Sequence, residues 1–112
     1  MRDQLDSARC ARLLKALADP DRLKILQCLQ QGPSSVTQIA DCLGHGLAKV
    51  SHHLGVLRNA GFVVDRREGK QIIYSLHPEV FVPSGPHSTL DTADLGCCRV
   101  ELHSIRKPRA TK

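Results

Sequence analysis

The apolar positions between Leu43 and Phe62 recur every three or four residues, as they do along one face of an amphipathic helix. Gly46 directly precedes this helical pattern and can serve as its N-cap after a tight turn. The opposite face carries small and hydrogen-bonding side chains, which suit either an ordinary solvated face or a helix lying in the major groove of DNA. The predicted apolar face is Leu47, Val50, Leu54 and Leu57, and the opposite face is Ala48, Lys49, Ser51, His52, Gly55 and Asn59.

Three shorter helical patterns precede this stretch. The first stops at Asp19-Pro20, where the aspartate can cap a second helix and the proline suits its first turn. The second ends at Gln31-Gly32-Pro33, after which Ser34 or Ser35 can cap a short third helix. This third helix, the turn at Gly44 to Gly46 and the following helix together predict a helix-turn-helix.

After Gly61 the pattern changes from helical to alternating, which predicts two β-strands joined by a turn at Glu68-Gly69. Arg66, Arg67 and Lys70 concentrate positive charge at the tip of this hairpin. Basic residues would also suit a solvated hairpin. Because the hairpin follows a helix-turn-helix, we expect it to be a wing whose basic side chains contact phosphates.

Composition narrows the class of partner. The chain has 112 residues, enough for one domain, and a formal net charge of +5, which favours a polyanion. Aromatic residues make up 3% and tryptophan is absent, which argues against a base-stacking platform for single strands and favours duplex DNA. The sequence has neither a signal-peptide pattern nor an apolar run of membrane-spanning length, so we expect a cytoplasmic protein without a membrane partner.

Three segments carry a family resemblance: LADPDRLKILQCL, KVSHHLGVLRNAGFV and DRREGKQIIYSL. Over residues 8 to 77 the chain resembles the ArsR/SmtB winged-helix repressors. The resemblance implies an α+β, mainly α, homodimer with a two-stranded wing, which leaves its operator when a metal binds. It departs from the family at Leu47 and Ala48, where polar residues are usual, so base contacts there would be apolar.

The resemblance divides the chain into a DNA-binding and dimerisation domain at residues 1–77 and a proline-rich C-terminal segment at residues 78–112. A basic tail at 106–112 is expected to be disordered. The predicted DNA contacts are Ala48, Lys49, Ser51 and His52 on the helix and Arg66, Arg67 and Lys70 on the wing, with His53 turned towards the core.

Two metal sites known in the family do not match this chain. The thiolate site at the start of the third helix would fall on Ser35, Thr37 and Ala40, none of which is a cysteine. A second type of site requires a long C-terminal helix, which three prolines prevent here. An oxygen and nitrogen site built from His77, Glu79, His87 and His103 stays open.

The adjacent Cys97 and Cys98 offer two thiolates to one soft ion, and Arg99 beside them favours the thiolate form. A branch of the family that responds to arsenic resembles this chain in such a pair, often with a further cysteine near the position of Ser104. Arsenite and antimonite prefer three sulfur donors, so the pair is incomplete. The third donor could be Cys42, Cys10 of the partner subunit or a cellular thiol.

Other interpretations of the cysteines stay open. The site could bind cadmium, lead or zinc, or oxidation could abolish DNA binding through a disulfide that involves Cys42 or Cys97. An odd count of five cysteines predicts separate thiols rather than a disulfide framework, with Cys28 and Cys10 in the core. A small metal-handling protein is the alternative from another class. Neither a CxxC motif nor a Ser/His/Asp constellation is evident, so we predict no enzyme and no organic cofactor.

Overall fold

The computed structural model describes residues 7–86 and 90–103. Predictions that concern His87, Ser104 and the basic tail at 106–112 lie outside these residues. The described chain forms four helices and two small sheets, each of three strands. The helices are α1 (Ser7–Leu17), α2 (Pro20–Leu29), α3 (Val36–Leu43) and α4 (Leu47–Asn59), and the strands are β1 (Ser34–Ser35), β2 (Val63–Glu68), β3 (Gln71–Leu76), β4 (Phe81–Val82), β5 (Thr92–Asp94) and β6 (Arg99–Glu101).

Local capping explains where the helices begin. The Asp19 carboxylate accepts hydrogen bonds from the backbone N–H groups of Asp21 and Arg22, so the predicted cap of α2 is confirmed. Ser35 and Gln38 form a reciprocal capping box at α3. The predicted helix-turn-helix is therefore confirmed, with Gly44 in the left-handed conformation at the end of α3 and Gly46 at the N-cap of α4.

Strands β2 and β3 pair antiparallel and form the predicted wing, with β1 on the other edge of β3. The turn differs from the prediction by one residue, because Glu68 pairs with Gln71 and the turn is Gly69-Lys70. Gly69 has a φ of 63°. A two-residue hairpin turn of this kind needs a positive φ at its first position, which glycine adopts without steric cost.

The apolar face of α4 packs into one core with α2, α3 and the base of the wing. Val50, Leu54 and Leu57 are fully buried, as predicted, whereas the prediction for Leu47 is wrong because 53% of it is exposed. Leu47 is the first residue of α4 and lies beyond the edge of the core. None of the helices within the described ranges is long and apolar enough to cross a lipid bilayer.

The C-terminal segment folds onto this same core as the sheet β4-β5-β6. Phe81 is 1% exposed and meets Phe62 edge to face, with ring centroids 6.4 Å apart. The buried side chain of Gln30, the residue that follows α2, donates hydrogen bonds to the backbone carbonyls of Leu90 and Leu102. The expectation that prolines prevent a long helix here is confirmed for residues 78–86 and 90–103, which form short strands and turns.

Candidate nucleic-acid interface and thiol cluster

The four side chains of α4 that were predicted to contact DNA are all exposed: Ala48, Lys49, Ser51 and His52. His53, the next residue, is 8% exposed and hydrogen-bonded, as predicted. The N-terminal half of α4 thus presents small and hydrogen-bonding groups to solvent, while Val50 and Leu54 anchor the helix from behind. Short side chains on such a face allow the helix backbone to approach the base edges of a major groove.

An acidic residue on α2 fixes this helix from the side. Asp21 lies 3.0 Å from Nε2 of His45 in the turn and 3.4 Å from Nζ of Lys49. Partial burial acts to raise the pKa of Asp21, but the hydrogen bonds from His45 and Lys49 outweigh it and hold the pKa below the ordinary value of 3.8. Lys49 is therefore held by a protein carboxylate that a DNA phosphate would have to replace or supplement.

Arg22 joins α1 to α4 through hydrogen bonds. Its Nε donates to the carbonyl of Ala16 at 2.6 Å, and its Nη1 lies 3.1 Å from Nδ1 of His53. Because a guanidinium only donates, Nδ1 accepts and the ring proton of neutral His53 is on Nε2. That nitrogen lies 3.7 Å from Asp21 Oδ2 and 4.0 Å from Asp19 Oδ1.

Asp19, Asp21 and His53 also form a group of possible metal ligands within 4.8 Å. The residues do not fit a metal ion, because the contact with Arg22 puts a proton on the only ring nitrogen that faces the carboxylates. Lys49 and Arg22 already supply positive charge there, at 3.4 Å from Asp21 and 4.0 Å from Asp19. These residues instead hydrogen-bond or pair with Arg22, His45 and Lys49, and these contacts position α4.

The wing carries its three predicted basic residues on exposed positions. Arg66 pairs with Glu68 at 2.8 Å on the same strand, and both side chains are more than half exposed. Arg67 and Lys70 lie at the end of β2 and in the turn, where both are exposed. An exposed ion pair contributes little to stability, so the Arg66–Glu68 pair adds little to the stability of the wing.

Cys97 and Cys98 lie in the tight turn between β5 and β6. The backbone N–H of Leu95 donates to the carbonyl of Cys98 at 2.9 Å, and Gly96 has a φ of 88°. Arg99 pairs with Asp94 at 3.5 Å across this hairpin, so its positive charge is shared with that carboxylate. The turn directs both thiol side chains towards α1.

Cys10 on α1 completes a cluster of three sulfur atoms. It forms a disulfide with Cys97, and the Cys98 thiol lies 3.9 Å from both of their Sγ atoms. All three residues are partly buried. The sulfur atom that meets the pair belongs to Cys10 of the same protomer, whereas the sequence analysis considered Cys10 of the partner subunit and otherwise placed Cys10 in the core.

Cys42 is placed elsewhere, in a second disulfide with Cys28. Cys28 is 6% exposed, so its predicted burial is confirmed. The prediction of separate thiols is wrong, because the five cysteines form two disulfides and leave Cys98 as a thiol. An odd number of cysteines does not show which of them meet in the fold.

Of the oxygen and nitrogen ligands considered, His77 uses Nδ1 to accept a hydrogen bond from the backbone N–H of Glu79.

The meeting of Cys10 with Cys97 and Cys98 within one protomer and the contacts of Asp21 could not be predicted from the sequence, and the reason is physical. Cys10 and Cys97 are 87 residues apart, and no local pattern relates them. Asp21 is 24 residues from His45, and its carboxylate could be interpreted only as a helix-terminus charge. The spacing of α2 and α4 around a common core brings these groups together.

An exposed polar helix, preceded by a tight turn and followed by a basic hairpin, defines a winged helix-turn-helix protein. The family described as "Bacterial regulatory protein, arsR family" matches residues 19–64. The transcriptional repressor SdpR of Bacillus subtilis is 38% identical over 72 residues, which are 64% of this chain and 80% of SdpR. The chain belongs to the ArsR family of bacterial regulatory proteins.

The HTH-type transcriptional regulator NmtR of Mycobacterium tuberculosis is 48% identical over 75 residues, which are 67% of this chain and 62% of NmtR. The chain thus spans less than two thirds of that relative's length. A solution structure from Mycobacterium bovis, described as a homodimeric winged helix-turn-helix DNA-binding domain and a possible ArsR-family regulator, superposes with a TM-score of 0.63 at 37% identity, covering 70% of this chain and 75% of that chain.

Further relatives are named as a probable mercury resistance operon repressor, an arsenic resistance transcriptional regulator and a cadmium resistance transcriptional regulatory protein. These names include several soft metal ions. The names refer to different ions, so the comparisons do not specify one ion.

Proposed function

We propose that the protein is a homodimeric repressor that binds double-stranded operator DNA and is released when a thiophilic ion binds Cys10, Cys97 and Cys98. The observation that carries the proposal is the convergence of these three sulfur atoms within 4.8 Å of one another, next to a fold that presents a recognition helix. Three thiolates suit arsenite or antimonite, and cadmium or lead accept similar sites. Arsenite is the ion that we propose.

The DNA-binding part of the proposal rests on the exposure and charge of side chains on α4 and the wing. Lys49, Ser51 and His52 are available for base edges and phosphates in the major groove, and Arg67 and Lys70 extend the positive surface along the wing. A dimer would present two such helices to an operator with two-fold symmetry, at half-sites one helical turn or a multiple apart. The homodimeric relative from Mycobacterium bovis supports this assembly. A DNA target and the need for reduced thiols both imply a cytoplasmic protein.

Ion binding requires the reduced cluster. Two small cellular thiols reduce the Cys10–Cys97 bond by thiol–disulfide exchange and become one small disulfide, which gives three protein thiols together with Cys98. Arsenous acid then exchanges its three hydroxyl groups for three sulfur ligands, and the three thiol protons leave with them as water. No residue outside α1 and the β5–β6 turn is needed.

Coupling to DNA can run through α1. The helix that carries Cys10 is tied to α4 by Arg22, which contacts Ala16 and His53. A shift of α1 on ion binding would therefore change the contacts that position the recognition helix. Release requires the ion to bind the DNA-incompetent arrangement more tightly, and a coupling free energy of about 1 to 3 kcal/mol is the usual scale.

The test measures how far the reduced full chain is released from duplex DNA as arsenite is added. The DNA is a promoter fragment from upstream of the protein's own gene. Wild type should be released, and Cys97→Ser/Cys98→Ser and Cys10→Ser should bind DNA but stay bound at the same arsenite concentrations. Cys42→Ser is the matched control, because this thiol lies outside the cluster, and it should respond like wild type.

Equal release of all four proteins would overturn the metal site. A wild-type protein that bound arsenite yet never retarded the fragment at low ionic strength would overturn the repressor itself and indicate a metal carrier. Charge neutralisation at Arg67 should reduce the slope of log affinity against log salt by about 1, because one phosphate fewer is then neutralised by the protein.

The Cys10–Cys97 bond itself favours a second candidate, an oxidant-sensing repressor that uses the same cluster. In that case an oxidant that converts the two thiols into the disulfide would release DNA without any metal. Thiol titration before and after peroxide, together with DNA retardation in the presence of a chelator, separates this candidate from ion sensing.

A further inference from the structure

The helix-turn-helix contains its own cysteine pair, which the proposed sensing chemistry does not use. Cys28 lies on the buried face of α2 at 6% exposure, and Cys42 is exposed near the end of α3. The two form a disulfide with a sequence separation of 14 residues. Because α3 ends one residue after Cys42, this bond joins α2 to the last turn of α3, next to the turn that precedes the recognition helix.

The Cys28–Cys42 pair is distinct from the sulfur cluster of Cys10, Cys97 and Cys98. The cluster joins α1 to the β5–β6 turn, whereas this pair joins α2 to α3. Among the described residues, the potential metal-ligand groups include Cys10, Cys97 and Cys98 and do not include Cys28 or Cys42. Two thiols facing each other without a third donor suit a disulfide better than a three-coordinate soft ion.

We propose that Cys28 and Cys42 are a redox modification site that low-molecular-weight disulfides oxidise, and that the resulting bond clamps the helix-turn-helix in its DNA-competent arrangement. Oxidation at this site would then preserve DNA binding, in contrast to chemistry at the Cys10, Cys97 and Cys98 cluster. The effect on DNA binding rests on the proposed repressor function, whereas the clamp rests only on the fold.

The chemistry balances as two thiol–disulfide exchanges. The exposed Cys42, as thiolate, attacks one sulfur of the small disulfide, forms a mixed disulfide and releases one small thiolate. Cys28 then loses its proton and attacks the Cys42 sulfur, which closes the protein disulfide and releases the second small thiolate. The two protons lost by the cysteines are taken up by the two leaving thiolates, so one small disulfide is reduced for each protein bond formed.

Geometry favours the second step. The fold holds Cys28 against Cys42, so the closing attack is intramolecular and has a high effective concentration. The mixed disulfide would therefore be short-lived, and glutathione should not stay attached. The bond is compatible with the reading surface, because the bonded structure retains the capping box of α3, the left-handed Gly44 and the exposed face of α4.

The experiment uses the full chain with Cys10→Ser/Cys97→Ser/Cys98→Ser, in which Cys28 and Cys42 are the cysteines that remain. Incubation with oxidised glutathione should abolish the thiol titre, remove two hydrogen atoms from the intact mass and leave no glutathione adduct. The Tm should rise by roughly 10 °C relative to the reduced sample, the order expected for cross-linking a loop of this length. DNA affinity of the oxidised and reduced samples should be the same.

Cys42→Ser in this background is the matched control, because Cys42 is exposed and its replacement leaves no core cavity. It should keep one thiol and show no rise in Tm with oxidant. A persistent glutathione adduct, an unchanged Tm on bond formation, or loss of DNA binding only in the oxidised sample would overturn the proposal. If neither sample binds DNA, the repressor function fails while the thiol count and Tm still decide the clamp.

Discussion

The two parts of this protein are stabilised in different ways. Residues 7–77 form helices and a wing whose ends are set by local signals, such as the Asp19 cap, the Ser35 capping box and Gly69 in the wing turn. Residues 78–86 and 90–103 form strands of two or three residues, which pair with one another and pack on the core of the first part. The part that presents the proposed DNA-binding surface is thus specified locally, whereas the part that carries Cys97 and Cys98 depends on long-range contacts.

The largest effect that tests this comparison is at Phe81, which is 1% exposed and packs on Phe62. Phe81→Ala should lower the free energy of unfolding of the whole domain by about 3–5 kcal/mol, because it leaves a cavity in a shared core. Urea denaturation followed by circular dichroism measures it. Val82→Ala, at a neighbouring exposed residue, is the control and should change little. A separate early transition for the C-terminal segment would show that the two parts do not share a core.

The next effect concerns the contact between the parts. Gln30→Leu removes the donors to the carbonyls of Leu90 and Leu102 and should cost about 1–3 kcal/mol, because the buried hydrogen bond to Leu102 and the partly buried one to Leu90 are lost. Amide hydrogen exchange should accelerate in residues 90–103 more than in α4. The equivalent change Gln27→Leu removes one exposed bond to the carbonyl of His103 and should have a smaller effect. Uniform acceleration throughout the chain would contradict a local role for Gln30.

A smaller effect should follow from a local signal in the first part. Ser35→Ala removes the side-chain acceptor of the α3 capping box and should destabilise the protein by about 1 kcal/mol. Thr37→Ala, at an exposed position within α3, is the control and should be neutral or slightly stabilising. Equal losses at both positions would mean that side-chain deletion rather than capping causes the effect.

The smallest effect is the pH dependence that each part contributes. Partial burial acts to raise the pKa of both Asp21 and Asp91. Hydrogen bonds from His45 and Lys49 nevertheless hold the pKa of Asp21 below 3.8, and hydrogen bonds from Ser84 do the same for Asp91. A lowered carboxyl pKa adds stability that is fully present above the unfolded-state value and is lost as the pH falls through the folded-state value.

Asp21→Asn and Asp91→Asn should therefore each flatten the loss of stability between about pH 5 and pH 2, measured by urea denaturation. Hydrogen exchange at acid pH should report the two changes in different places, α4 for Asp21 and the C-terminal sheet for Asp91. A slope equal to that of wild type in either variant would refute the contribution of that carboxylate.

Much of the first part could be predicted from the sequence. The helix-turn-helix, the caps of α2 and α3, the wing and the exposed positions of Lys49, Ser51 and His52 all follow from periods and turn residues within a few positions of one another. The predictions for Leu47 and for the wing turn were wrong, because helix ends and strand register depend on which residues pack into the core. The assignment of metal to Cys97 and Cys98 stays a prediction.

The sequence by itself determined the helices and strands that depend only on residues close together in the chain. The reason is that capping hydrogen bonds and the repeat of apolar residues act over one or two turns. The tertiary structure alone decided which cysteines meet. Cys10 lies with Cys97 and Cys98, and Cys28 pairs with Cys42. It also decided that Asp21 holds Lys49 and His45. These groups lie up to 88 residues apart, and only the packing of helices and sheets around one core fixes their distances.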